Sequence, residues 1–127
     1  AIPGGAGIAN NLFTYFIDGL NMTVLPEVRD AIVSIHQQNK PIAAMCIAPV
    51  LLANVLDGIT ITLGDDDCGP AKDILQMGAR HEATKNGGVT VDLKNKIFTT
   101  PCFMLDATLK DIYAGAYNMV ESFAKAL

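Results

Sequence analysis

The chain has 127 residues, half of them hydrophobic, with a formal net charge of −4 and a pI of about 4.9. One domain fits this length, and the positive mean hydropathy calls for extensive burial. No basic patch exists to follow a nucleic-acid backbone, and the apolar runs break too often to supply the roughly 18 residues of a membrane span.

In chain order, Ala1-Ile2 reads as the end of a buried strand, and Pro3-Gly4-Gly5-Ala6-Gly7 as a glycine-rich turn. Ile8 to Phe16 suits a helix, and Asn21 to Leu25 a loop. Pro26-Glu27 opens a second helix through Gln38, with Val28, Ile32 and Ile35 on one face. Pro41 to Met45 is a short apolar strand. Ile47-Ala48-Pro49 leads into a helix that stops near Asp57-Gly58. Ile59 to Leu63 is β-branched and predicts a strand, Gly64 to Pro70 a polar loop, and Ala71 to Met77 a short helix closed by Gly78. His81 to Thr84 and Val89 to Leu93 predict strands joined at Asn86-Gly87-Gly88, a turn signal. Lys96 to Thr100 is another strand, ended by Pro101. Asp106 to Ala126 is a closing helix with the stripe Leu109, Ile112, Ala116, Met119 and Val120. Helices alternate with strands, which predicts an α/β fold with a largely parallel sheet covered on both faces.

Cys46 falls between the strand ending at Met45 and the helix opening at Pro49. A strand–turn–helix with a nucleophile at the turn is a nucleophile elbow in outline, although the usual flanking glycines are lacking. The start of a helix favours the thiolate. A small apolar filler is the other reading, because free cysteine is among the most buried residue types. Cys68 precedes Gly69-Pro70 in a polar loop and is open to oxidation; Cys102 follows Thr99-Thr100-Pro101 near a strand end, as packing or as part of a pocket. Three cysteines without metal-type spacing argue against a disulfide framework or a zinc site and fit a reducing compartment.

The other candidates read as structure. His36 suits a cation near a helix C-terminus, and His81 a loop or strand-edge residue. Asp65, Asp66 and Asp67 read as a solvated loop rather than a cation site. The glycine-rich turn lacks the Walker lysine and the dinucleotide spacing. The opening Ala1-Ile2-Pro3-Gly4-Gly5 has neither the basic start nor the apolar stretch of a signal peptide, and reads as an internal point of a longer protein.

Three segments together resemble a known family. They are Ile2-Pro3-Gly4-Gly5-Ala6-Gly7 with Asn11-Leu12, His36 to Pro41 running into Cys46-Ile47-Ala48-Pro49, and Asp92 to Lys96 leading to Thr99-Thr100-Pro101. This is similar to the enhancing-lycopene-biosynthesis protein 2 (ElbB-like) family, of the class I glutamine-amidotransferase-like superfamily that also contains the PfpI-type proteases. The resemblance implies a flavodoxin-like three-layer sandwich, mostly parallel and incomplete at the N-terminus, with residues 1–127 forming the C-terminal part of one domain. It implies a glyoxalase that converts glyoxal or methylglyoxal to a hydroxy acid without cofactor or metal. Cys46 would then be the nucleophile, and the backbone N–H groups of Gly5 and Ile47 would face the oxyanion. Gly4, Ala6, Asn10, Pro49, Pro101 and Cys102 would rim the pocket.

Two departures from the superfamily qualify that chemistry. Leu63 to Cys68 contains no triad histidine, which argues against glutamine hydrolysis, and Ala6 and Asn10 stand where the family usually has an aromatic residue and a lysine. The alternative is a non-catalytic member, redox-sensing or structural. The resemblance also implies a homodimer or association with a preceding half of the domain, and a cytoplasmic or, alternatively, mitochondrial location.

Overall fold

The computed structural model describes residues 1–127. The helices are α1 (Ala6–Asn11), α2 (Tyr15–Asp18), α3 (Pro26–Gln37), α4 (Pro49–Val55), α5 (Gly69–Gln76) and α6 (Leu109–Lys125), with short 3-10 turns at Gly19–Asn21 and Cys102–Met104. The strands are β1 (Ile42–Met45), β2 (Thr60–Ile61), β3 (Arg80–His81), β4 (Thr90–Asp92) and β5 (Ile97–Thr100). None of the helices is long and apolar enough to cross a membrane.

The architecture is α/β with a mixed sheet. Its central pair is β1 and β5, parallel, with Met45 opposite Thr100; β4 joins the far edge of β5 antiparallel. On the other edge of β1, Ile2 forms a single parallel bridge with Ala44. Side-chain alternation divides the central strands between two cores. Ile42, Ala44 and Ile97 face a cluster of 21 buried residues that includes Ile32 of α3 and Val50 to Ala53 of α4. Ala43 and Phe98 face the opposite layer, where α6 covers them through Met119 and an edge-on contact between Phe98 and Phe123, with Val89 packed alongside. Helices thus lie on both faces of the sheet.

β2 and β3 form a separate parallel pair. Side chains, rather than a backbone ladder, tie β2 to the central sheet. Thr62 N–H donates to Thr99 Oγ1 at 3.0 Å, and Thr60 N–H donates to Asp92 Oδ2 at 2.8 Å. Ile59, Ile61 and Leu63 are fully buried, as their β-branched or apolar character demands.

Four expectations change. The helix over Ile8 to Phe16 breaks in two, because Phe13 turns into the core and bridges Val24 antiparallel, with Thr14 N–H bonded to Thr23 O at 3.0 Å. The strands around Asn86-Gly87-Gly88 do not pair with each other: β3 lies beside β2, and β4 turns back on β5. The glycine turn instead underlies α6, where Asn118 Nδ2 donates to Gly87 O and Thr100 Oγ1 donates to Gly88 O. The closing helix begins three residues later than expected, at a capping box in which Thr108 and Asp111 bond each other's backbone N–H. Its anticipated stripe is only partly inward, since Leu109 and Val120 are exposed while Gly115 and Met119 face the sheet.

Candidate functional site

The chain reverses from β1 into α4 across three residues, Cys46, Ile47 and Ala48. Ala48 N–H donates to Met45 O at 3.1 Å, and Cys46 N–H extends the β1–β5 ladder by donating to Thr100 O at 3.0 Å. Cys46 itself has φ of 60°, a left-handed conformation uncommon for a residue with a Cβ. Such backbone persists only where the surroundings over-determine it, and it concentrates at functional sites. Here the buried run Pro49 to Ala53 on one side and the β1–β5 pairing on the other hold the turn.

The glycine-rich segment is shaped around this side chain. Ile2 is hydrogen-bonded to β1 through Ala43 O and Met45 N–H, which brings Gly4 against Cys46. A Cβ on Gly4 would collide with Cys46 Cβ and would lie 3.0 Å from Met45 O and 3.3 Å from Cys46 Sγ. Only glycine fits there. Gly5 has φ of 116° and needs glycine for conformational reasons. The backbone N–H groups of Gly5 and Ile47 make no hydrogen bond within the protein.

Cys46 opens into a pocket of about 340 Å³ bounded by Pro3, Gly4, Gly5, Met45, Cys102, Phe103 and Ile112. Of the residues singled out from the sequence, Cys46, Gly4, Gly5 and Cys102 therefore meet in one place. Ile47 follows Cys46 in the chain but is buried and does not line the pocket. Ala6 and Asn10 are exposed on α1, outside the wall; Pro49 is buried in the core, and Pro101 is buried against Gly64 and Leu105 rather than in the pocket. Sequence reasoning missed Pro3, Met45, Phe103 and Ile112. The first two adjoin residues already named. Phe103 and Ile112 arrive only through the fold, from the 3-10 turn after β5 and from the first turns of α6.

Cys102 also has a left-handed backbone, with φ of 49°, and is 7% exposed. Burial and the neighbouring Cys46 thiol push its own thiol up to about 11, partly offset by the Cys46 backbone N–H. No imidazole or carboxylate lines the pocket.

The polar groups named as alternatives are engaged elsewhere. His81 Nε2 accepts the Leu63 N–H at 2.9 Å, and Nδ1 lies 2.7 Å from Asp66 Oδ1. The acceptor role of Nε2 places the proton on Nδ1, which donates to Asp66. This buried imidazole braces the loop after β2. The three aspartates form no cluster with other groups that could hold a metal. Tyr15 donates to Asp73 Oδ2 at 2.6 Å; burial, then that hydrogen bond and the Asp73 charge, raise the phenol well above its ordinary range. A larger recess of about 440 Å³ runs along the outer face of α6 beside Tyr113, Tyr117 and Val120, but it contains no thiol. The two thiols Cys46 and Cys102 lie in the smaller pocket.

No protein-family model matches the chain. Among curated proteins, it is 40% identical over 126 residues to the human glutamine amidotransferase-like class 1 domain-containing protein 3, mitochondrial, covering 93% of this chain and 47% of that protein. It is 38% identical to the ES1 protein homolog, mitochondrial, of Rattus norvegicus, covering 94% and 48% of the two chains. It is 31% identical to the ES1 protein, mitochondrial, of Danio rerio, covering 94% and 49%. The chain thus spans about half the length of the curated relatives it matches. A crystal structure of an isoprenoid biosynthesis protein with an amidotransferase-like domain from Ehrlichia chaffeensis superposes with a TM-score of 0.84 at 28% identity, covering 97% of this chain and 56% of that one. The fold is the flavodoxin-like α/β fold of that amidotransferase-like domain, and the chain is a homologue of glutamine amidotransferase-like class 1 domain proteins.

Proposed function

We propose that the chain carries the thiol half of a cofactor-independent glyoxalase site, with Cys46 at a nucleophile elbow. The observation that carries this reading is the left-handed Cys46 beside two free backbone N–H groups, Gly5 and Ile47, over an apolar pocket. A soft thiolate adds to the aldehyde carbon of glyoxal or methylglyoxal, giving a hemithioacetal. The developing oxyanion is met by backbone N–H groups that spend no hydrogen bond elsewhere. The small apolar pocket suits a compact dicarbonyl. A proton must then move between the two carbons through a general base, giving a thioester of the hydroxy acid on Cys46, and water hydrolyses that thioester, breaking the C–S bond and freeing the thiol. Nothing lining the pocket supplies that base, so turnover draws it from outside these residues.

The enhancing-lycopene-biosynthesis protein 2 assignment is part of the same proposal. Its support is the isoprenoid biosynthesis description of the structural neighbour, together with the segments quoted above. The mitochondrial names of the three curated relatives favour a mitochondrial over a cytoplasmic location.

The lack of a base in the pocket favours a second reading, a non-catalytic homologue whose thiol binds or senses without turnover. One experiment separates the two. The full-length protein is incubated with methylglyoxal, without added cofactor, and the hydroxy acid is followed. The glyoxalase reading expects slow product formation that disappears in Cys46→Ala. A hemithioacetal adduct at Cys46 without product supports the non-catalytic reading. Turnover that survives Cys46→Ala sinks the assignment of this thiol.

A further inference from the structure

The pocket contains two thiols, and the fold delivers both by the same device. β1 and β5 run parallel and side by side, ending at the paired residues Met45 and Thr100. Adjacent strands lie about 4.8 Å apart. Cys46 is the first residue past that pair on one strand, and Cys102 is the second on the other. Each adopts a left-handed backbone, φ of 60° and 49°, so each chain leaves its strand abruptly at the same end of the sheet. Cys46 N–H is bonded to Thr100 O at 3.0 Å, which clamps the two turns together. Both residues line one pocket wall, and both are free thiols.

We propose that Cys46 and Cys102 form an oxidative modification site, in which a hydroperoxide converts the two thiols into an intramolecular disulfide. In the first step the Cys46 sulfur attacks the peroxide. An S–O bond forms and the O–O bond breaks; the sulfur is oxidised to a sulfenic acid, and the hydroperoxide is reduced to an alcohol, or to water where the oxidant is hydrogen peroxide. In the second step the Cys102 sulfur attacks the sulfenic sulfur. The S–S bond forms, the S–O bond breaks, and the departing hydroxide takes the Cys102 proton away as water.

The roles follow from the environments. Cys46 is half-buried and open to the pocket, so it meets the oxidant. Cys102 is buried, and its raised thiol pKa keeps it protonated, so the first attack on the oxidant falls to Cys46. Cys68 is in a different setting: it lies at the start of α5 with its thiol directed at Leu63 O. Cys102 shares the pocket with Cys46, which makes it the partner at hand. This inference concerns the thiol pair alone and does not depend on the proposed glyoxalase reaction.

The test treats the folded protein with a small molar excess of hydrogen peroxide and digests it without reductant for peptide mass spectrometry. The expected product is a peptide pair joined through Cys46 and Cys102, lighter by two hydrogens and released by reductant, with Cys68 still alkylatable. In Cys102→Ala, Cys46 should stop at the sulfenic acid and be captured by dimedone. In Cys68→Ser the cross-link should form as in the wild type. Wild-type Cys46 over-oxidised to sulfinic acid with Cys102 still a free thiol would overturn the proposal. So would a cross-link through Cys68, or one between two chains.

Discussion

At the scale of single residues, the two pocket thiols should differ sharply in behaviour. Cys102 is buried, and its thiol is pushed up to about 11 from an ordinary 9.0. Alkylation proceeds through the thiolate. Iodoacetamide at neutral pH should therefore label Cys46 well before Cys102, and Cys102 labelling should climb as pH rises through about 11. Comparable labelling of the two at neutral pH would contradict this. The same shift has a stability consequence with a definite sign. The fold favours the protonated thiol, so this contribution is complete below pH 9.0 and is lost as pH rises towards about 11. The loss, read from denaturant midpoints, should be smaller in Cys102→Ala. Much at this scale was legible in the sequence. Cys46 is flanked by an apolar strand and a proline at the start of a helix, and both signals are local. Gly4 was visible as turn glycine, but its reason was not: the clash it avoids is with a side chain from the next strand over. The Cys102 environment was also hidden, because Thr-Thr-Pro-Cys reads first as packing, with a pocket as the other reading, until β1 is laid beside β5.

At the scale of elements, length decided legibility. β1, α3, α4 and α6 carry their own periodic or apolar patterns and stand close to where the pattern puts them. β2 and β3 are two residues each, and their pairing is non-local. Asn86-Gly87-Gly88 marks a turn correctly, yet a turn signal does not say which strands flank it, and here the preceding strand pairs with β2. The link between the two sheets depended on a residue type the pattern treats as surface. Asp92 on β4 is buried; its Oδ2 accepts the N–H of Thr60 and the side-chain amide of Asn95, and its Oδ1 accepts the N–H of Asn95. Burial raises its pKa, but the Asn95 side-chain and backbone bonds, the Thr60 N–H and the Arg80 charge outweigh that and lower it overall. Asp92→Ala should cost about 1–3 kcal/mol, because it takes the acceptor away from the part-buried Thr60 N–H. Asp92→Asn should cost less, since an amide oxygen keeps one acceptor. Equilibrium denaturation of the two variants measures the difference, and equal losses would mean that packing rather than hydrogen bonding ties the sheets. The carboxylate's contribution is present above its ordinary pKa and fades as pH falls below it.

At the scale of the whole molecule, the two cores are unequal. The core on one face of the sheet is a cluster of 21 buried residues, and on the other it is three, Ala43 and Phe98 of the sheet with Met119 of α6. Gly115 lets α6 approach Thr100 so closely that a Cβ there would lie 2.7 Å from the threonine hydroxyl. The helix gains proximity but little buried bulk, and its outward face leaves Tyr113, Tyr117 and Val120 in solvent. Segments with few buried apolar contacts open locally, at a free energy below that of global unfolding. Native-state amide exchange should accordingly find α6 exchanging through such an opening, ahead of β1, β5 and α4; uniform protection would show a single cooperative unit instead. Because Ile112 of α6 is a wall of the cysteine pocket, each such excursion would also lift that wall. The rate at which bulky reagents reach Cys102 would then report the breathing of one helix, and a longer, better-buried α6 would make the same chemistry slower without altering either thiol.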